Sequence, residues 1–215
     1  MEIKVVRQIM EWNENCHQEL RNTFEENNVL MINIMGSPGT GKTTFITNII
    51  NSLSNEYKIG IIEGDIAGSI DAEKIAALGI PVVQLNTEGA CHIEAMSIKN
   101  MLQYFDLKDL DILIVENIGN LVCPAEFDIG DELKIALLSI PEGDDKVEKY
   151  PLMFTRANAL VMTKYDMLQY FKFDEKRVVD NAKNNNPDIE IFKVNSVKGD
   201  GMPEFIEWIK SYLNK

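Results

Sequence analysis

Residues 36–43 read Gly-Ser-Pro-Gly-Thr-Gly-Lys-Thr and match the phosphate-binding pattern G-x-x-x-x-G-K-[ST] at every fixed position. Such a loop works when a β-strand leads into it and an α-helix leaves it, because backbone N–H groups and the helix N-terminus together surround the phosphate. An apolar run at 29–35 and a helical pattern at 42–54 provide this context. The motif therefore restricts the chain to an α/β fold with a nucleotide site, and it makes a chance glycine-rich turn a poor alternative.

The remaining sequence repeats one unit, a short apolar run followed by a turn and a helical stretch. Strands are predicted at 29–35, 58–64, 81–86, 111–117, 134–140, 159–164 and 189–194. Helices are predicted at 42–54, 70–78, 92–105, 174–184 and 202–213. Almost continuous apolar character predicts strands that are buried on both faces. We expect an α/β P-loop NTPase fold with a mostly parallel sheet of about seven strands flanked by helices, in which 1–28 form an N-terminal amphipathic helix and 29–215 the P-loop domain.

Charge and cysteine content exclude several classes of protein. The chain has 21 basic and 34 acidic residues and a net charge of −13, so broad electrostatic binding to nucleic acid or anionic lipid is not expected. Residues 1–20 carry charges throughout instead of the apolar centre of a secretory signal, and no later run is long enough to span a bilayer. The 3 cysteines fit a reducing compartment better than disulfides. We expect a cytoplasmic protein that binds neither nucleic acid nor membranes.

The phosphate loop predicts most of the nucleotide contacts. Lys42 is expected to reach the β and γ phosphates, and Thr43 to ligate Mg²⁺. Acidic groups for this metal belong at the carboxyl ends of neighbouring strands, where Asp65 and Glu116 lie, although each could also be a solvated carboxylate. The predicted catalytic residues are Lys42, Asp65 and Glu116. The predicted phosphate-binding residues are Gly36, Ser37, Pro38, Gly39, Thr40, Gly41, Lys42, Thr43 and Thr44.

Base recognition is predicted from two loops late in the chain. Thr163, Lys164, Tyr165 and Asp166 resemble the guanine motif N-K-x-D, in which the carboxylate accepts hydrogen bonds from guanine N1–H and the exocyclic amine. The lysine stem packs on the base, and the threonine at the asparagine position loses one amide contact. Both loops could also be ordinary strand-end turns. The second loop resembles the S-A-K segment that closes over the base, and its predicted base-binding residues are Ser196, Val197 and Lys198.

A second constellation combines Cys91 and His92 with Cys123, all of which follow predicted strand ends on the nucleotide side. Thiolate and imidazole ligands suit Zn²⁺ and Ni²⁺. Three ligands do not complete a tetrahedral site, whereas two chains related by a two-fold axis would supply six, so a metal shared across a dimer interface is one interpretation. The alternative is that the cysteines are buried small apolar residues.

Four segments together give the chain a family resemblance. The phosphate loop at 36–44, E-G-D-I-A at 63–67, E-N-I-G-N-L-V-C-P-A-E-F-D at 116–128 and E-G-D-D-K at 142–146 resemble the hydrogenase nickel-incorporation GTPases, the HypB family. The resemblance covers nearly the whole chain after Val29. Urease nickel GTPases are related but normally carry Cys-Pro-His, so the Cys91–His92 pair favours the hydrogenase branch.

This resemblance implies a slow GTPase that dimerises with GTP and metal and delivers nickel to a [NiFe]-hydrogenase large-subunit precursor, together with a small zinc-bearing accessory protein. It implies that Cys91, His92 and Cys123 are the Zn²⁺ or Ni²⁺ ligands at the dimer interface. It also suggests that Lys149 reaches the nucleotide of the other subunit, the alternative being a solvated lysine. The implied cofactors are GTP, Mg²⁺ and Ni²⁺ or Zn²⁺.

A P-loop metabolic enzyme, such as a small-molecule kinase or an ATP-dependent ligase, is the alternative function. In such an enzyme the regions around Cys91 and Cys123 would line a substrate pocket, and ATP would be the nucleotide. The segment at 163–166 separates the two hypotheses because its aspartate matches donors that guanine has and adenine lacks.

Overall fold

The computed structural model describes residues 4–65, 70–87 and 89–214, with side chains described for 15–64, 72–87 and 89–214. The strands are β1 (Leu30–Gly36), β2 (Ile59–Asp65), β3 (Val82–Asn86), β4 (Ile112–Glu116), β5 (Leu133–Ser139), β6 (Ala159–Thr163) and β7 (Glu190–Lys193). The α-helices are α1 (Lys4–Asn27), α2 (Lys42–Leu53), α3 (Ile70–Ala76), α4 (Ala95–Met101), α5 (Cys123–Glu126), α6 (Lys146–Lys149), α7 (Pro151–Arg156), α8 (Glu175–Asn185) and α9 (Met202–Leu213). Short 3-10 helices lie at Leu102–Tyr104, Leu107–Asp109, Ile140–Glu142 and Tyr165–Tyr170.

The strands form one sheet in the order β3-β2-β4-β1-β5-β6-β7, and all of its neighbouring strands are parallel. The predicted α/β fold with a mostly parallel sheet of seven strands is confirmed. β1 lies at the centre between β4 and β5, with Ile34 opposite Glu116 and Gly36 opposite Leu137. The phosphate loop therefore leaves the middle of the sheet at its carboxyl edge, next to the end of β4.

Helices cover both faces of the sheet. On one face α2 and α9 pack on the central strands. The rings of Phe45 and Phe205 lie 4.8 Å apart in this core cluster, which also contains Ile32 and Ile34 of β1. α2 buries one side because its apolar residues recur at helical spacing. On the other face α1 and α4 cover one half of the sheet, and the helices after β4, β5 and β6 cover the other. This two-sided core holds the carboxyl edge of β1 in a fixed position.

The sheet edges and one helix differ from the sequence predictions. β3 and β7 are only partly buried, because an edge strand has a neighbour on one side alone and can carry polar residues such as Gln84 and Glu190. The helix predicted at 92–105 begins later, at Ala95, because Glu94 has extended backbone angles of φ −98° and ψ 153°. Residues 91–94 therefore form a loop, in which Ile93 is buried in the core and Cys91 is exposed.

Three short helices, α5, α6 and α7, were not predicted because four to six residues are too few to show helical periodicity. Two of them carry proline in the first turn, Pro124 in α5 and Pro151 in α7. Proline suits this position, where its missing N–H would have no intrahelical partner.

The N-terminal helix α1 packs on the sheet through Cys16, Leu20 and Phe24, which are at most 3% exposed and join one core cluster. Burial raises the pKa of the Cys16 thiol, in keeping with a packing role. Among the helices that the structure describes, none combines the length and apolar character needed to cross a membrane.

A chain of buried polar groups runs through the sheet centre from β1. Asn33 is fully buried, accepts a hydrogen bond from Asn117 Nδ2 at 3.2 Å and donates to Asp131 Oδ1 at 3.4 Å. Asp131 is 1% exposed and pairs with Lys134, which is 8% exposed. Burial raises the pKa of Asp131, and the neighbouring ammonium opposes this shift. These groups fix the position of Asn117, the first residue after β4.

Candidate nucleotide and metal site

The phosphate loop turns sharply between β1 and α2. Gly39 and Gly41 have φ values of 78° and 98°, in the left-handed region that glycine adopts without strain. The first residue of α2 is Lys42, so the free N–H groups of this helix and the preceding loop face the same space. This is the arrangement that the motif predicted for phosphate binding.

The ends of β5 and β6 support the loop from the side. Thr163 Oγ1 donates to the carbonyl oxygen of Thr40 at 2.7 Å, and Lys164 Nζ donates to that of Gly39 at 2.6 Å. Thr40 Oγ1 lies 3.1 Å from Glu142 Oε2, an oxygen that also accepts hydrogen bonds from Ser139. Glu142 was not predicted as a site residue, although it begins the E-G-D-D-K segment. The threonine at the asparagine position of the guanine motif thus contacts the phosphate loop.

Lys42 and Thr43 are the first two residues of α2 and line the cavity beside the phosphate loop. Lys42 Nζ lies 3.4 Å from the carbonyl oxygen of Gly36 and 3.3 Å from that of Ser37. Thr43 Oγ1 donates to Glu116 Oε1 at 3.0 Å. A hydroxyl and a carboxylate oxygen side by side match the oxygen ligands that Mg²⁺ prefers, so these residues fit that ion.

Asp65, the other predicted acidic residue, is the last residue of β2 and lies opposite Asn86. The structure describes its backbone but not its side chain. β2 is separated from β1 by β4, so Asp65 is one strand further from the loop than Glu116. Residues 66–69, part of which belong to the segment at 63–67, lie outside the described residues. Glu63, which was not predicted, is directly opposite Glu116 in the sheet and 3% exposed. Its signal in the sequence is a charge inside an apolar strand.

The phosphate loop, Glu63, Glu116 and Lys164 line a cavity of about 530 Å³ at the carboxyl edge of the sheet. Its volume lies within the range of small-molecule sites, roughly 300–1,000 Å³. Three lysines line it, Lys42, Lys74 and Lys164, with no arginine among the lining residues that the structure describes. A second cavity of about 530 Å³ lies between α1 and the C-terminal helix, away from the phosphate loop. Of these two cavities, the one at the phosphate loop combines the motif glycines with lysines and carboxylates.

The two loops predicted to bind the base are neighbours beside α2. Tyr165 N donates to the carbonyl oxygen of Val194, and Asn48 of α2 donates to that of Ser196 at 2.7 Å. Asn195 Oδ1 accepts from the backbone N–H groups of Val197 and Lys198, which shapes the second loop. The carboxylate of Asp166 and the side chain of Val197 are exposed.

Tyr165 anchors the first of these loops. Its hydroxyl bonds Glu175, whose carboxylate also pairs with Lys193 Nζ at 2.5 Å, and this ammonium lies 5.5 Å from the centre of the tyrosine ring. The preceding residue, Lys164, adopts a left-handed conformation with φ 52°, and its side chain reaches the phosphate loop.

The predicted metal ligands come together although 32 residues separate the two cysteines. One ligand atom each from Cys91, His92 and Cys123 lies within 4.8 Å of the others, and the two Sγ atoms are 2.9 Å apart. His92 Nδ1 lies 3.6 Å from Cys91 Sγ, and the imidazole stacks on Phe127 at 3.8 Å between ring centres. Two sulfurs and one imidazole nitrogen fit the coordination chemistry of Zn²⁺ and Ni²⁺.

Protonation of these groups follows from their surroundings. Burial lowers the pKa of His92, against the opposing charges of Glu94 and Glu126, which favours the neutral imidazole that a metal requires. The hydrogen bond with Cys91 and partial burial raise the pKa of the Cys123 thiol. A metal must therefore displace a thiol proton on binding.

Lys149, the residue suggested to act on a second subunit, lies on α6 and pairs with Asp145 within the same chain. Its side chain is 57% exposed. It is a surface lysine in one chain, and its role in an assembly stays a prediction.

Comparison with known proteins extends the resemblance seen in the sequence. Residues 30–193 match the family model described as CobW/HypB/UreG, nucleotide-binding domain. Over 209 residues the chain is 37% identical to hydrogenase maturation factor HypB of Escherichia coli strain K12. The aligned region covers 97% of this chain and 72% of that protein.

Two solved structures share the fold. HypB from Helicobacter pylori in complex with nickel is 34% identical, with a TM-score of 0.87 over 94% of this chain and 95% of that one. Hydrogenase maturation factor HypB from Archaeoglobus fulgidus is 33% identical, with a TM-score of 0.88 over 94% of this chain and 99% of that one. The chain thus matches HypB proteins in both sequence and fold over nearly its whole length, and it belongs to the HypB family of hydrogenase maturation factors.

Proposed function

We propose that the chain is a metal-binding GTPase that couples GTP binding, hydrolysis and dimerisation to nickel delivery for [NiFe]-hydrogenase maturation. The observation that carries this proposal is the gathering of Cys91, His92 and Cys123 within 4.8 Å at the sheet edge that holds the phosphate loop. The relatives support it, since they are named hydrogenase maturation factors and one was solved with nickel. The proposed partners are a small zinc-bearing accessory protein and the hydrogenase large-subunit precursor.

In this function the phosphate loop binds the triphosphate, and Lys42 neutralises charge on the β and γ phosphates. Thr43, Glu116 and Asp65 would hold Mg²⁺, which supplies further charge neutralisation when bound. Glu63, buried beside Glu116, adds a second carboxylate to the same part of the cavity. These residues together orient the phosphates for attack by water.

The base would lie against Lys164, with Asp166 accepting from guanine and the loop at 196–198 closing over it. Two contacts hold these loops next to the phosphate loop and α2, which supports this role. Lys164 contacts the phosphate loop, and Asn48 of α2 donates to the carbonyl oxygen of Ser196. Thr163 supports the phosphate loop through its hydrogen bond to the carbonyl oxygen of Thr40.

Nickel is the cargo in this proposal, and the dimer completes its site. One chain offers three donors, whereas a tetrahedral site needs four and a square-planar site also needs four. A second chain placed about a two-fold axis supplies the remaining donors from the same residues. Lys149 is proposed to approach the partner's nucleotide in such a dimer.

Nucleotide preference tests the guanine assignment. We expect GDP to bind far more tightly than ADP, and Asp166→Ala to weaken GDP binding about tenfold or more, since a hydrogen bond to a charged group contributes roughly 1.5–3 kcal/mol. Isothermal titration with GDP and ADP measures both effects. Asp188→Ala, which removes another exposed carboxylate, should leave GDP affinity unchanged. Equal affinities of the wild type for GDP and ADP would contradict the assignment and favour a P-loop metabolic enzyme.

Turnover distinguishes the two classes in a different way. We expect intrinsic GTP hydrolysis below about 1 s⁻¹, the lower limit typical of kinases, because an arginine that stabilises the transition state is absent from the described residues lining the cavity. Phosphate release under single-turnover conditions gives the rate. Turnover of many per second without a partner, or transfer of phosphate to a small molecule, would show that the chain is a metabolic enzyme.

A further inference from the structure

Residues 119–120 lie against the phosphate loop. The backbone of Asn120 forms an antiparallel bridge with Gly36, the first residue of the loop. Gly119 is so close to Pro38 that a Cβ at this position would lie 2.7 Å from Pro38 Cγ and 2.8 Å from its backbone nitrogen. Such a contact leaves no free space between the two segments. A displacement of the phosphate loop at Gly36 or Pro38 therefore moves residues 119–120 with it.

The side chain of Asn120 reaches both loops that carry the thiols. Its Nδ2 donates to the carbonyl oxygen of Cys91 at 3.3 Å, and its Oδ1 accepts from the backbone N–H of Val122 at 2.8 Å. The second bond shapes the turn from which α5 begins at Cys123. One half-buried amide thus contacts the phosphate loop through its backbone and each thiol-bearing loop through its side chain.

We propose that Asn120 is the positioning residue through which the state of the phosphate loop sets the spacing between the thiols of Cys91 and Cys123. The inference rests on the proposed nickel and GTP function and names the part of the chain that links the two sites.

The unequal lengths of the two hydrogen bonds give the link a direction. At 3.3 Å the bond to Cys91 is already near the upper limit for N–H···O geometry, so a shift of about 0.5 Å breaks it. The bond to Val122 at 2.8 Å survives such a shift. Cys123 therefore moves with Asn120, whereas Cys91 is released from it, and the distance between the two sulfurs changes. Differential contacts of this kind are what a nucleotide needs to alter metal affinity.

The test compares Ni²⁺ affinity of the full chain in two nucleotide states. Ni²⁺ is titrated in competition with a chromophoric chelator, once with Mg²⁺ and GDP and once with Mg²⁺ and a non-hydrolysable GTP analogue. The two wild-type affinities should differ by about tenfold, within the range usual for coupled sites. Asn120→Asp keeps an oxygen acceptor for Val122 but has no donor for the Cys91 carbonyl. In this variant the ratio of affinities should fall to within about twofold of one.

Asn186→Asp is a matched control. Asn186 is half-buried, its Oδ1 accepts from the backbone N–H two residues later at 3.1 Å, and its Nδ2 donates to the carbonyl oxygen of Ala157 at 2.8 Å. It makes the same two kinds of bond at the end of α8, far from both sites along the chain, so its variant should keep the wild-type ratio. Asn120→Ala serves as a second variant, which removes both bonds without adding a charge near the thiols.

The outcomes separate the inference from the proposed function. If Ni²⁺ affinity of the wild type is the same in both nucleotide states, the proposed coupling of GTP to nickel is wrong and the inference falls with it. If the wild type shows the difference and both Asn120 variants retain it, the function stands and the role of Asn120 is overturned. Equal weakening of Ni²⁺ binding in both states, with the ratio preserved, would show a merely structural role and would also overturn the inference.

Discussion

Replacing Lys42 by alanine should reduce GTP hydrolysis by at least about a hundredfold, the usual cost of removing a preorganised group that stabilises transition-state charge. Lys42 Nζ lies beside the carbonyl oxygens of Gly36 and Ser37, at the start of the helix whose N-terminus faces the cavity. No other lysine that lines the cavity belongs to the phosphate loop. Phosphate release from saturating GTP and Mg²⁺ under single-turnover conditions measures the loss.

Two further variants show whether a loss of activity in Lys42→Ala comes from the lost charge or from misfolding. Lys42 is 8% exposed, so Lys42→Met keeps its packed stem while removing the charge, and it should lose activity to the same degree. Lys176→Ala, on an 83% exposed lysine of α8, should leave the rate unchanged. If Lys42→Met retains more than a tenth of wild-type turnover, Lys42 does not stabilise the transferred phosphate.

Replacing Cys123 by serine should weaken Ni²⁺ or Zn²⁺ binding by about a hundredfold or more, because loss of even a group that supports a metal ligand costs 10- to 100-fold. Cys91→Ser should have an effect of the same size, since the two sulfurs lie 2.9 Å apart and share one group of donors. In the absence of Ni²⁺ and Zn²⁺, affinity for GTP should change by less than about twofold, because neither thiol lines the nucleotide cavity. Chelator competition gives the metal affinities, and calorimetry gives the nucleotide affinities.

The same variants test the dimer. Sedimentation of the wild type with a non-hydrolysable GTP analogue and metal should show a dimer, and Cys123→Ser should shift it toward the monomer. Cys16→Ala removes the buried thiol with which α1 packs on the core, and it should leave metal affinity unchanged. A protein that stays monomeric in every state, and binds one metal with unchanged affinity in both serine variants, would show that these cysteines are not the metal ligands.

Much of the nucleotide site could be predicted from the sequence because its chemistry is local. The phosphate loop, its strand and its helix are consecutive, so the motif alone places Gly36 and Lys42. Glu116 follows from a strand end, and the strand order confirms that it is next to β1. Glu63 and Glu142 could not be identified in this way, because their approach to the loop depends on strand register and on a side chain that returns from the 3-10 helix after β5.

The metal site required strand order, which a single sequence does not provide. Cys91 follows β3 and Cys123 follows β4, and β2 lies between these two strands in the sheet. The loops meet over the end of β2 because the extended backbone of Glu94 delays the start of α4. The resemblance implied the ligand set, but the spacing of the residues alone favoured buried thiols. The hydrogen bonds of Asn120 likewise appear only once both loops are in place.

Asn33, Asp131 and Lys134 form a buried polar network, so the effect of a substitution at one of these positions depends on which residues occupy the other two. Losing one partner of a buried ion pair costs about 3–5 kcal/mol, whereas replacing both by apolar residues of similar volume is often neutral. A domain holds only about 5–15 kcal/mol of net stability, so either single substitution would consume a large share of it. A lineage can therefore exchange this polar centre for an apolar one in a concerted step or after a stabilising change elsewhere. The order in which substitutions occur therefore limits sequence divergence around the centre of β1 as much as the stability of the fully substituted protein does.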